Sequence, residues 1–197
     1  MFRTKLIILV IISMNLQVVL AGDIAGAVTS TDSLSRQNTI VYVKKAEAEF
    51  LPPDSAAVMD QVNLEFRPHV LPIVVGTQVD FLNSDEVLHN VFTPNVCGGQ
   101  LDLGTWPKGE KRSYVFKEEG CVSVMLCNVH PEMEAWVLVL QNPYYAAVSE
   151  DGSYLIENVP PGKYELIAWH ERFKSQNMII EVPVTGTVNA DISLSWR

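Results

Sequence analysis

The sequence predicts an all-β chain built from antiparallel β-sandwiches. Short runs rich in Val, Ile, Thr, Tyr and Phe recur along it, and clusters of Gly, Pro, Asn and Asp separate them. No segment after residue 21 shows the long 3.6-residue apolar period of an amphipathic helix. The texture of the sequence changes near Asn142, which indicates a second unit beside the first.

The first 21 residues differ from the rest. Two basic residues precede an apolar run at 6–20, and the small residues Ala21 and Gly22 follow it. This order is typical of a secretory signal peptide. A membrane anchor is the alternative, but the run is shorter than the ~20 apolar residues that a spanning helix needs and contains polar residues. We expect a periplasmic or secreted protein whose mature chain begins near Gly22 and has no membrane span.

Residues 22–57 predict two strands and a connector. The stretch 23–29 is small and partly alternating, and 39–43 is β-branched with apolar residues on both faces. A connector at 46–57, with two prolines, follows.

The central segment, 58–141, is dense in strand signals. Predicted strands cover 62–66, 70–75, 78–82, 87–92, 101–103, 113–116, 121–127 and 135–140. In the last segment the predicted strands cover 144–148, 154–156, 164–169, 178–182 and 188–194. The pair Asp151-Gly152 predicts a hairpin turn there. Many short strands with such turns favour sandwiches.

A metal site is predicted in the loop after the strand at 121–127. Cys127, His130 and Met133 have the spacing C-x2-H-x2-M. A thiolate, an imidazole and a thioether together favour copper, and a blue-copper site adds a second histidine. Each residue alone is more often part of a core or surface, so the prediction depends on their coincidence in one loop.

Three other histidines compete for the missing position. His89 follows a turn and lies in a strand-like run, so we predict it as the ligand. His69 is the competitor, but Pro68 beside it favours a turn or packing role. His170 lies at a charged strand end, and we predict it to be exposed.

The chain has three cysteines, and Cys127 has a role as a ligand. Export permits disulfides, which leaves Cys97 and Cys121 as a candidate pair. Two isolated buried thiols are the alternative.

Residues 58–141 resemble the cupredoxin family of blue copper proteins, in its amicyanin- and plastocyanin-like form. Three stretches carry the resemblance: 126–133, 72–83 and 89–91. The resemblance implies a Greek-key β-sandwich that holds one type 1 copper. Its implied ligands are His89, Cys127 and His130, with Met133 in the axial position and a backbone oxygen as the alternative there. Asn90 is implied as an outer partner that ties the His89 strand to the Cys127 loop.

The last segment resembles the carboxypeptidase regulatory-like (transthyretin-like) sandwich. Residues 147–154 and 159–166 carry this resemblance, and 22–28 with 41–43 approximate strands of that family from the other end of the chain. The resemblance implies a discontinuous domain, 22–57 plus 142–197, into which the cupredoxin-like domain 58–141 is inserted. The alternative assigns 22–57 to the cupredoxin-like domain as extra strands.

The charge indicates the class of partner. The leader holds two of the 14 Lys and Arg residues, which leaves 12 against 23 Asp and Glu and a formal net charge of −11. This argues against nucleic acid and anionic lipid as partners. Glu132 and Glu134 near His130, and Asp85 with Glu86 before His89, predict an acidic ligand-bearing end. We expect a redox protein partner such as a basic cytochrome c or a dehydrogenase; solubility alone is the alternative reason for the acidity.

The predicted function is an exported one-electron carrier with one copper ion. The alternatives are a copper chaperone or sequestering protein without electron transfer, and a structural interaction module. No nucleophile-elbow or zinc-protease motif is present, so we predict that the protein is not an enzyme.

Overall fold

The computed structural model describes residues 20–30, 36–96 and 99–196. The strands in these ranges are β1 (Gly22–Ser30), β2 (Ile40–Val43), β3 (Ala57–Val62), β4 (Glu65–Arg67), β5 (Val70–Val74), β6 (Gln78–Asn83), β7 (His89–Val96), β8 (Gly99–Trp106), β9 (Lys111–Val115), β10 (Cys121–Leu126), β11 (Glu134–Leu140), β12 (Tyr145–Ala147), β13 (Ser153–Val159), β14 (Gly162–Trp169), β15 (Gln176–Val182), β16 (Thr187–Asn189) and β17 (Ile192–Leu194). The prediction of an all-β chain with two sandwiches is confirmed.

Most of the predicted leader, 1–21, lies outside the described residues. Within the described ranges, no helix has the length and hydrophobicity that crossing a bilayer requires.

Strands β3 to β11 form the first sandwich, which we call the ligand-bearing sandwich. One sheet has the order β5-β11-β10-β7-β8, and the other has the order β4-β3-β6-β9. Buried side chains from both sheets, among them Phe81, Val91 and Val137, fill the space between them. Most neighbours are antiparallel, but β5 with β11 and β3 with β6 are parallel pairs.

The second sandwich, the flanking sandwich, joins the two ends of the chain. Strand β1 lies between β13 and β16 and also pairs with β17, and the facing sheet has the order β12-β2-β14-β15. Its core includes Ile24, Leu166 and Phe173. These pairings support the predicted division into 22–57 plus 142–197 and an inserted 58–141, which stays a prediction.

Strand β11 is apolar on both faces because it borders two cores. Ala135, Val137 and Val139 face the core of the ligand-bearing sandwich. Leu138 and Leu140 face the other way, toward Ile40 and Trp169 of the flanking sandwich in a third buried cluster. The rings of Trp136 and Trp169 meet edge to face across this contact, with centroids 5.7 Å apart. The two sandwiches therefore share an apolar interface.

Two predicted strands were wrong in detail. The alternating run Val62–Phe66 is not one strand, because the chain reverses at Asn63 and Leu64, whose φ angles are 58° and 61°. The run 188–194 forms two strands, β16 and β17. Between them, the backbone amide of Ala190 donates a hydrogen bond to a carbonyl oxygen of β1.

Candidate metal centre

The strand order brings the predicted ligands to one end of the ligand-bearing sandwich. His89 is the first residue of β7, and Cys127 directly follows β10. These strands are neighbours, with Leu126 opposite Phe92, so the two side chains meet at the same sheet end. His130 lies in the loop after β10, and Met133 lies directly before β11.

Three donor atoms converge at this end. The Nδ1 atom of His89 lies 3.1 Å from Nδ1 of His130 and 3.9 Å from Sγ of Cys127. All three atoms lie within 4.8 Å of one another. His89 and Cys127 are 0% and 2% exposed, whereas His130 is partly exposed. The group is therefore a compact, mostly dry set of one thiol and two imidazoles.

The separations fit a single metal ion. Histidine nitrogens and cysteine sulfurs typically lie about 2.0–2.3 Å from a bound zinc ion, which serves here as the reference. The two separations from Nδ1 of His89 are shorter than the sum of two such bonds, and the third pair of atoms lies within 4.8 Å, so the arrangement is compatible with one ion between the three atoms. Two imidazole nitrogens that face each other at 3.1 Å need a proton or a cation between them. One thiolate with two imidazoles suits copper.

Met133 lies in the loop that carries His130. Its amide donates to the carbonyl oxygen of His130 at 3.0 Å, which closes a turn. The side chain is fully buried in the same cluster as Cys127. A weak thioether ligand from this position is chemically consistent with the donor set.

An aspartate holds the far side of the His89 ring. Oδ2 of Asp85 lies 2.9 Å from Nε2 of His89, and the amides of Asn63 and Leu64 donate to Oδ1 at 2.7 Å and Oδ2 at 2.9 Å. Burial raises the pKa of Asp85, but the donors from Leu64, His89 and Asn63 outweigh it and lower that pKa overall. The carboxylate is therefore held in place to accept a hydrogen bond from Nε2–H of His89.

This contact corrects the expectation that Asp85 merely adds to an acidic surface. Its side chain is 14% exposed and is fully engaged in internal hydrogen bonds. The only signal in the sequence is the spacing of four residues between Asp85 and His89. Outside a helix, a spacing of four residues does not indicate whether the two side chains point toward each other.

Asn90 links the strands that carry His89 and Cys127. Its Oδ1 accepts the amide of Asn128 at 3.2 Å, and its own amide lies 3.5 Å from Sγ of Cys127. Its Nδ2 donates to Asp102 and to the carbonyl oxygen of Gly104, both at 2.9 Å. The register of β7 on β8 shifts just after Asn90, as is common beside functional sites. Asn90 thus connects β7 with β8 and with the loop after β10.

The other two histidines lie outside the group. His69 precedes β5 and lies 3.6 Å from the Glu171 carboxylate of the flanking sandwich. The prediction that His170 is exposed was wrong, because its side chain is 2% exposed. It packs on the ring of Phe173 at 4.9 Å and accepts the amide of Arg172 at Nδ1. Burial lowers the pKa of His170.

The cysteines separate into two kinds. Cys127 is a free thiol, and Cys121 is disulfide-bonded. Cys97 lies outside the described residues, so the Cys97–Cys121 pairing stays a prediction.

The surface beside the ligands is mixed rather than simply acidic. Glu86 and Glu132 are exposed, as expected. Val87, Leu88 and Val129, which adjoin the ligands in sequence, are exposed as well. Each ligand loop therefore presents apolar side chains together with carboxylates.

No protein-family model matches the chain, and no curated protein matches it. The solved structures that it resembles include amicyanin variants, another cupredoxin and a copper-containing nitrite reductase. A reduced single-residue variant of amicyanin is 26% identical over 50% of this chain and 97% of that chain, with a TM-score of 0.41. A purple cupredoxin from Nitrosopumilus maritimus is 29% identical over 42% of this chain and 98% of that one, with a TM-score of 0.37. A copper-containing nitrite reductase from Thermus scotoductus is 23% identical over 58% and 28%, with a TM-score of 0.42.

Proposed function

We propose that the protein is an exported one-electron carrier that holds one type 1 copper ion. The convergence of the His89, Cys127 and His130 donor atoms within 4.8 Å carries this proposal. Met133 is the proposed axial ligand, and Asn90 is the proposed outer partner. The buried thiol and the C-x2-H-x2-M loop support copper over zinc or calcium.

The protein frame supports electron transfer rather than transient storage. Copper held in such a site supplies a Cu(II)/Cu(I) couple that stores one electron. His89 is fixed by Asp85 and by its place in β7, and Cys127 is fixed by the Asn90 amide at the end of β10. Donors held by such contacts at strand ends move little, so little reorganisation accompanies a change of charge. A chaperone that hands on its metal would instead need ligands that open.

His130 is the proposed point of electron exit. It is the partly exposed member of a group whose other members are buried. Val129 beside it is exposed, as are Val87 and Leu88 next to His89. We propose that a redox protein partner contacts this end, with apolar packing at the centre and carboxylates that attract a basic surface at the rim.

The visible absorption spectrum of the Cu(II)-loaded mature protein tests the proposal. We expect an intense blue thiolate-to-copper band that a mild reductant bleaches. Cys127→Ser should abolish the band, because it removes the thiolate. His130→Gln should alter or abolish it, while the matched variant His69→Gln should leave it unchanged. Bound copper without such a band would refute the carrier and favour a chaperone or sequestering role.

A further inference from the structure

We infer that Asp85 is a positioning residue that acts through the His89 ring and lowers the reduction potential of the copper site. This inference rests on the proposed function. Asp85 is not placed as a ligand, because it contacts Nε2 of His89, while Nδ1 of the same ring faces Cys127 and His130.

The carboxylate is built into the fold on both of its oxygens. Oδ1 accepts the Asn63 amide, and Oδ2 accepts the Leu64 amide and the His89 ring N–H. The amide of Asp85 itself donates to Oδ1 of Asn83 at 2.9 Å. Two backbone amides on the carboxylate and one hydrogen bond from the Asp85 backbone thus fix the direction of the carboxylate toward the ring.

The β3–β4 turn is shaped to make these bonds. Asn63 and Leu64 both have positive φ, a conformation that brings the Cβ of a leucine too close to the following carbonyl oxygen. The turn keeps this conformation while both amides point at one carboxylate. A leucine in such a position is uncommon and is consistent with a requirement for the paired amides rather than for the turn alone.

The chemical effect follows from charge. An ionised carboxylate that accepts the Nε2–H keeps that proton on Nε2 and leaves the Nδ1 lone pair free for the metal. It also draws positive charge onto the Nε2–H and makes Nδ1 a stronger donor. A stronger donor stabilises Cu(II) more than Cu(I), so the potential falls. A neutral acceptor at the same place would orient the ring without this charge effect.

The test compares the reduction potentials of the wild type, Asp85→Asn and Glu86→Gln. This comparison separates the effect of the Asp85 charge from the effect of Asp85 on the orientation of the His89 ring. Asp85→Asn should weaken Cu(II) binding about tenfold relative to Cu(I), which for one electron raises the potential by about 59 mV. Glu86→Gln removes the same charge one residue away, from an exposed side chain that is paired with Lys108. It should therefore shift the reduction potential far less. Equal shifts in the two variants, or no shift in Asp85→Asn, would overturn the inference.

The diamagnetic Cu(I)-loaded wild type gives a second measurement, which is independent of whether Asp85→Asn folds. Nitrogen-15 NMR of the His89 ring should show a proton on Nε2 that is shifted downfield by its hydrogen bond to the Asp85 carboxylate. An Nε2 that carries no proton, or a proton without this shift, would overturn the inference. A wild type with no blue band refutes the proposed function, whereas a blue wild type with an unmoved Asp85→Asn potential refutes only the role of Asp85.

Discussion

Replacing Trp169 with alanine tests whether the two sandwiches support each other. Trp169 is 6% exposed and packs on Leu138 and Leu140 of the ligand-bearing sandwich. Truncation of a buried Trp typically costs about 3–5 kcal/mol, of which the edge-to-face contact with Trp136 accounts for about 0.5–1.5. The ring lies between two sandwiches, where water can enter a gap, so we expect the lower part of the range, about 3 kcal/mol.

For a chain of this size, such a loss lowers the melting temperature by about 6–12 °C. Calorimetry on the metal-free protein measures it, and Trp196→Ala is the control because that ring is half exposed. The blue band of the copper-loaded variant should stay where it is, since Trp169 lies on the face of β11 away from the ligands. If Trp169→Ala loses no more stability than Trp196→Ala, the shared interface does not hold the sandwiches together.

Three further predictions follow from other contacts. Asn90→Ala should cost about 1–3 kcal/mol in chemical denaturation and speed the loss of copper, because it removes three part-buried hydrogen bonds of the side-chain amide; unchanged copper release would contradict its bridging role. The Glu171 carboxylate raises the pKa of His69 in the folded protein. The stabilisation that protonated His69 gains from Glu171 is therefore complete below the pKa of the unfolded chain, about 6.5, and disappears as the pH rises through the higher pKa of the folded protein. His69→Gln should therefore show a smaller fall in unfolding free energy as the pH rises above about 6.5. His170, whose pKa is lowered, contributes the opposite slope in both proteins. Gly26→Ala should destabilise the flanking sandwich by about 1–3 kcal/mol, since the added Cβ would lie 2.2 Å from a backbone oxygen, and an unchanged melting temperature would contradict that packing.

The fold class was predictable because β patterning is local. Alternation and turn residues identified most strands, including β10, where Cys121, Ser123 and Met125 alternate inward. The proximity of Cys127 and His130 was also predictable, because they share one loop. His89 was harder, since only the pairing of β7 with β10 brings it to the same end.

The missed features depend on specific side-chain contacts that alternation and charge patterns do not report. Alternation in Val62–Phe66 reads as a strand, yet the carboxylate of Asp85 accepts hydrogen bonds from two of its amides and holds them in a turn. No property of the stretch itself encodes that contact. His170 has charged neighbours in sequence, but its ring packs on Phe173, three residues further along, and is buried. In each case a side-chain contact overrides the pattern of the neighbouring residues.

The two-sided burial of β11 has a practical consequence for protein engineering. A fragment limited to residues 58–141 would expose Trp136, Leu138 and Leu140 to water along one strand. Such a continuous apolar stripe promotes aggregation. Grafting the proposed copper-binding loop onto a minimal scaffold would therefore require polar replacements at those three positions, chosen so that Ala135, Val137 and Val139 on the opposite face keep their packing.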